Sequence, residues 1–246
     1  MADDEVYILT AIAAGFDELG FADHTPWPYQ TGYRSDMRMD LPLLEDYIAN
    51  LTRLKEMYAN RIRLHIGLEC EYYEPYIPWL TEVAAKNGLY LILGTHYSQS
   101  EENGELIHMG GGCETPELRA EYCRASLNGI NSGIFTYFAH PDLFLRNLPA
   151  FPEDGAFITK ELCRACNVMG LPLEMNLVSL RLAQKKEGGY QEWFLNFWRI
   201  AAEMKSRAII GYDAHNPNTL RDEEGAAAAE SLLTELGMER LDQLPL

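Results

Sequence analysis

Arg63-Leu-His-Ile-Gly-Leu-Glu69, Ile77-Pro-Trp-Leu-Thr-Glu-Val-Ala-Ala-Lys86 and Leu89-Tyr-Leu-Ile-Leu-Gly-Thr-His96 follow one another along the chain. The first and third are short apolar runs, and each closes on a side chain that can bind a metal. The second carries apolar residues at helical spacing and has a proline in its first turn. Strand, helix and strand in that order is the repeating unit of a parallel sheet. Working outward, the same alternation predicts further strands over Glu18–Ala22, Ile134–Ala139, Leu171–Met175 and Ala208–Tyr212. Helices are predicted over Asp3–Ala14, Pro42–Tyr58, Pro116–Asn128, Glu153–Met169, Gln191–Met204 and Pro217–Leu236. The helices outnumber the strands by one, and the extra helix comes first. In a βα series that implies a strand before it, which this chain is read as lacking.

The bulk properties narrow the function. A chain of 246 residues that is 47% hydrophobic buries a large core, and no linker or low-complexity tract divides it, so residues 1–246 are read as one domain. The formal charge of -17 and the absence of a Lys/Arg cluster disfavour nucleic acid. There is no uncharged apolar run of about 18 residues to cross a membrane. The opening Met1-Ala2-Asp3-Asp4-Glu5 is acidic where a signal peptide is basic. A soluble, cytoplasmic protein is expected. Five irregularly spaced cysteines fit reduced thiols; Cys163 and Cys166 form a C-x-x-C, but within a helical stretch and without a second such pair to complete a zinc site.

The chemistry sits where strands end. In order, the predicted strands finish in Phe21-Ala-Asp-His24, Gly67-Leu-Glu69, Gly94-Thr-His96, Phe138-Ala-His140-Pro-Asp142, Leu173-Glu-Met-Asn176 and Gly211-Tyr-Asp213-Ala-His215. In a closed parallel barrel all such ends meet at one rim, where active sites are built. One histidine after an apolar strand is more often a packed or loop residue than a ligand. Repetition at the same end of successive strands has no such structural cause, so His24, His96, His140 and His215 with Glu69 and Asp213 read as a polynuclear centre for zinc, iron or manganese. His65, inside its strand, is expected to be packed or on the barrel exterior, and His108, in a Gly-rich loop, is left out of the site. Arg146 and Arg181 follow strand ends and are candidates to bind phosphate, with Arg34 and Arg38 behind them; the alternative for each is an ordinary surface arginine.

Taken together, these motifs, with Asp23-His-Thr-Pro-Trp27 and Glu174-Met-Asn-Leu-Val-Ser-Leu-Arg181, resemble the PHP (polymerase and histidinol phosphatase) family, and its histidinol-phosphatase branch in particular. The resemblance runs from about residue 3 to about residue 220. It implies a distorted (β/α)7 TIM-like barrel with up to three divalent metals at the C-terminal rim. By position, Glu69 would bridge two metals, Asp213 complete the first site, His96 and His140 hold the second with Glu69, and His24 and His215 hold the third. It implies hydrolysis of a small phosphomonoester, foremost L-histidinol phosphate, by a bridging hydroxide with no phosphoenzyme. The family pattern opens with a His-x-His on the first strand, and this sequence contains none, so only the second site is complete. Either the chain is a truncated form of an active enzyme, which we favour because a barrel short of one strand exposes two edges, or it is a weakened or non-catalytic metal-binding relative. A metal-dependent amidohydrolase is the other enzymatic reading; it fits less well, because no strand ends in the lysine that such sites use as a bridge.

Overall fold

Residues 3–103 and 108–246 are described by a computed structural model. In chain order the elements are α1 (Asp4–Ala13), β1 (Glu18–His24), α2 (Leu44–Met57), β2 (Arg63–Cys70), α3 (Ile77–Asn87), β3 (Tyr90–Leu93), α4 (Pro116–Ser132), α5 (Gly155–Met169), β4 (Leu173–Asn176), α6 (Leu177–Ala183), α7 (Glu192–Glu203), β5 (Ala208–Gly211), α8 (Glu223–Glu235) and β6 (Arg240–Leu241). Local chemistry sets the helix ends. Asp3 caps α1 and Thr115 caps α4, while α4 and α5 stop at Gly133 and Gly170, both left-handed, so that the chain turns back toward the sheet.

All strands are parallel, in the orders β1-β2-β3 and β4-β5-β6. Between the two sheets runs the segment predicted as a strand over Ile134–Ala139. It is narrower than expected: Phe138 alone bridges to Leu93 on one side and Leu173 on the other. The Ala139 N–H donates to the Leu93 carbonyl at 2.8 Å, and the Glu174 N–H to the Phe138 carbonyl at 2.9 Å. His140, at φ 32°, then turns the chain out of register, which is why the pairing extends no further. Two elements were not anticipated. α6 starts directly on the end of β4, capped by Asn176, and β6 is a two-residue strand beyond α8.

The two faces of the sheet bury different cores. The outer face packs under the helices in one large cluster that includes Leu64, Leu68, Leu93, Tyr122, Phe138, Phe197 and Trp198. The inner face carries a small one, Tyr90, Ile92 and Ala139, joined by Ala22, Tyr137 and Leu244. Space there is tight: a Cβ on Gly20 or Gly67 would come within 2.5 Å of a Tyr90 atom, so glycine is required opposite that ring. Beyond β6 the chain reaches back to β1, where the Leu244 N–H donates to the Glu18 carboxylate at 3.0 Å. Among the described residues no helix is long and apolar enough to cross a membrane, and all five cysteines are free and buried.

Candidate metal centre

Register builds the centre. Pairing of β1 with β2 sets His24 opposite Glu69, and the pairing of β2 with β3 sets Glu69 opposite Ile92, so Glu69 lies on the inner face above the Tyr90 layer. His96 follows β3 and His140 follows the Phe138 bridge, and both rings come to the same carboxylate. His140 Nε2 is 2.8 Å and His96 Nε2 is 3.0 Å from Glu69 Oε1, while His24 Nδ1 is 3.5 Å from Oε2. The His96 ring lies 4.7 Å from that of His140 and 5.0 Å from that of His24, centroid to centroid. Glu69 and His140 are buried, at 8% and 3% exposure. Donor atoms of His24, Glu69 and His96 all fall within 4.8 Å of one another.

The electrostatics follow from that crowding. Burial alone would raise the Glu69 pKa, but His24, His96 and His140 outweigh it and hold it well below the ordinary value. Burial lowers His24, so its imidazole is neutral and has a free lone pair at neutral pH. His140 moves the other way: burial pulls it down, but the hydrogen bond and charge of Glu69 raise it above the ordinary value. A buried carboxylate ringed by three imidazoles whose nitrogens point at its oxygens is a donor set that fits a transition-metal dication. Glycine makes room for it, since a Cβ on Gly94 would lie 2.0 Å from Glu69 Oε1.

Asp213 and His215 form a neighbouring group. His215 Nε2 is 3.2 Å from Asp213 Oδ1, but the His215 side chain is 77% exposed. Asp213 is joined to the centre through two residues that the sequence reading quoted without assigning a role. Asn176 Nδ2 donates to Asp213 Oδ2 at 3.2 Å and to Glu174 Oε2 at 3.0 Å, and Glu174 Oε2 accepts the His140 backbone N–H at 2.8 Å. Burial raises the Glu174 pKa to about 7, with nearby Asp213 adding to the rise. A Cβ on Gly211 would meet Glu174 Oε1 at 1.8 Å, the counterpart of Gly94 at Glu69. The glycine two residues before Asp213, in Gly211-Tyr-Asp213, was the legible trace of Glu174.

The arginines divide. Arg146, half-buried, donates from Nη2 to Ser179 Oγ at 2.8 Å. Arg181 is not brought to the cluster: its guanidinium is engaged by Asp222, with Nε 2.8 Å from Oδ2, and by Gln184. Arg38 is buried between Glu71 at 2.7 Å and Glu101 at 2.5 Å, so it ties loops together. Arg34 is exposed beside Asp40. The two histidines read as lying outside the site behave differently from each other. His65 shares the inner face with Glu69 but lies at the opposite end of β2, 3.2 Å from Glu18. His108, left out in the sequence reading, stacks on His96 with ring planes 3° apart and centroids 5.7 Å apart. Its neighbour Met109 fastens it there, donating its N–H to the His96 carbonyl at 2.9 Å.

A parallel α/β scaffold with imidazoles and carboxylates converging beyond its strand ends belongs to the class of α/β proteins with a candidate metal centre. Comparison with known proteins narrows the class. The chain matches no protein-family model. It is 26% identical over 225 residues to the probable histidinol-phosphatase of Deinococcus radiodurans, covering 86% of this chain and 79% of the relative. It is 25% identical over 234 residues to the histidinol-phosphatase of Bacillus subtilis, covering 85% of each. Among solved structures, the fold is similar to histidinol phosphate phosphatase from Lactococcus lactis complexed with zinc, L-histidinol and phosphate, at TM-score 0.72 and 19% identity over 97% of this chain and 89% of that one. It is also similar to the putative histidinol phosphatase of Listeria monocytogenes, at TM-score 0.67 and 16% identity over 91% and 93% of the two chains.

Proposed function

We propose that the chain is a metal-dependent phosphatase that hydrolyses L-histidinol phosphate to L-histidinol and phosphate, a step of histidine biosynthesis. The observation that carries this reading is the Glu69 carboxylate met by His24, His96 and His140 beyond the ends of parallel strands. The names of both sequence relatives, which match this chain over most of their length, support the substrate. The PHP assignment and the (β/α)7 barrel belong to the same proposal. Supporting the barrel are the Phe138 bridge between the two sheets and the tail that runs from β5 to β1.

His24, Glu69 and His96 would hold one dication of zinc, iron or manganese, and His140, Asp213 and His215 would supply donors for further ones. Such a cation lowers the pKa of bound water and neutralises the phosphoryl oxygens, which is the part of this slow hydrolysis that protein side chains do poorly. The protein's own groups do the rest. Arg146 is proposed to pair with a phosphoryl oxygen through the N–H groups that Ser179 leaves free, and a planar guanidinium suits that anion. His108, lowered in pKa by burial and by His96, is neutral and is proposed to hydrogen-bond the substrate beside His96. Arg181 is proposed to reach the phosphate only by leaving Asp222.

The test is phosphate release from L-histidinol phosphate, with a cyclic amide and an oligonucleotide as competing substrates. Turnover that a chelator abolishes and zinc or manganese restores is expected, with Glu69→Gln lowering the rate at least about a hundred-fold. Hydrolysis of the cyclic amide and not of phosphomonoesters would make this an amidohydrolase. Bound metal with no turnover of any of the three would make it a binding relative.

A further inference from the structure

We propose that Ser179 and Asp142 form a buried relay that orients the Arg146 guanidinium toward an anion, which makes both of them positioning residues; the inference rests on reading Arg146 as the phosphate-binding arginine. Every link has a defined direction. Arg146 Nη2 donates to Ser179 Oγ at 2.8 Å, and the Ser179 hydroxyl donates to Asp142 Oδ1 at 2.9 Å. A guanidinium only donates and an ionised carboxylate only accepts, so a hydroxyl between them is satisfied in one orientation alone. A direct Arg–Asp pair would occupy the fork of the guanidinium. With serine interposed, a single N–H is used and the remainder stay available for a bidentate anion.

The surroundings fix all three groups. Asp142 and Ser179 are buried at 1% and 0% exposure, and Arg146 follows a 3-10 turn, Leu143–Leu145, whose side chains are fully buried. The Arg146 carbonyl is seated on Gly112, where a Cβ would come within 1.9 Å of it. Arg146 Nε and Asp142 Oδ2 are buried without a hydrogen-bond partner, which leaves the arginine with unspent donor capacity. The Ser179 N–H is accepted by Asn176 Oδ1 at 3.1 Å, and the same Asn176 side chain binds Asp213. One asparagine therefore anchors both the relay and a candidate metal ligand.

The experiment measures the Kd of inorganic phosphate by calorimetry, KM and kcat for L-histidinol phosphate, and bound metal by elemental analysis, on the full chain. Ser179→Ala is expected to raise the phosphate Kd and KM roughly ten-fold, the effect of one hydrogen bond to a charged group, with metal content unchanged and Ser179→Thr restoring most of the affinity. In an Arg146→Met background Ser179→Ala should add nothing. Asp142→Asn, whose amide competes for the serine oxygen, should weaken phosphate binding in the same way. Unchanged phosphate affinity in Ser179→Ala, or an undiminished effect in the Arg146→Met background, overturns the relay. A wild type that binds phosphate through Ser179 yet does not cleave L-histidinol phosphate upholds the relay and refutes the substrate; a wild type that binds no phosphate overturns the relay as well.

Discussion

Gly94 shows how much of the centre depends on single atoms. A methyl group there would be within 2.0 Å of Glu69 Oε1 and 2.8 Å of its Cγ, so Gly94→Ala should swing the carboxylate away from His96 and His140. The expected result is a fold that survives with metal affinity lowered roughly ten-fold or more, read by titrating zinc into stripped protein. His108 should behave differently from the ligands: His108→Ala is expected to lower turnover while elemental analysis finds the metal still bound, whereas His140→Ala loses both. These two histidines also mark what was legible. His140 ends an apolar run like His24, Glu69 and His96, and strand ends converge by the geometry of parallel sheets. His108 reaches the centre through the hydrogen bond from Met109 to the His96 carbonyl, and no local pattern in the sequence encodes such a return. Arg181 shares Arg146's place just after a strand end, but an aspartate at the start of α8 captures it.

At the scale of elements, the loop between β1 and α2 is fastened by one arginine. Arg38 meets Glu71, just beyond β2, and Glu101, beyond β3, while Trp27 Nε1 donates to Glu71 at 3.4 Å. Removing it in Arg38→Met would strand two buried carboxylates, at a cost of about 3–5 kcal/mol in unfolding free energy. The pH dependence has a definite sign. Burial tends to raise the Glu101 pKa, but Arg38 and the hydrogen bonds of Tyr29 and Ser35 hold it below its ordinary 4.5. A depressed folded-state pKa contributes stability that is complete above 4.5 and is lost as pH falls through the lower value. Thermal midpoints measured from neutral pH into acid should therefore decline less steeply in Glu101→Gln than in wild type. The long helices were readable because their apolar stripes and caps are local. The narrowing of the predicted strand over 134–139 to one bridge, α6 and β6 were not, because each is defined by a tertiary contact: Phe138 by its two flanking strands, α6 by the Asn176 cap that also serves the site, and β6 by a two-residue register with β5.

For the whole molecule, the parallel order explains why a chain of charge -17 concentrates donors at one end and apolar residues beneath them. Tyr90, Ile92 and Ala139 form the layer under Glu69, and Leu244 completes it from the far end of the chain. Leu244→Ala should lower stability by about 1–2 kcal/mol in denaturant unfolding while the content of bound metal stays constant, since Leu244 packs on the layer beneath the centre and carries no donor atom in its side chain. The proposed hydrolysis requires the Glu69 cluster to be a metal centre, and elemental analysis of the purified chain beside its Glu69→Gln variant decides whether it is one. At least one equivalent of zinc, iron or manganese in the wild type, lost in the variant, is predicted; a wild type that holds none after incubation with each of these metals would contradict it.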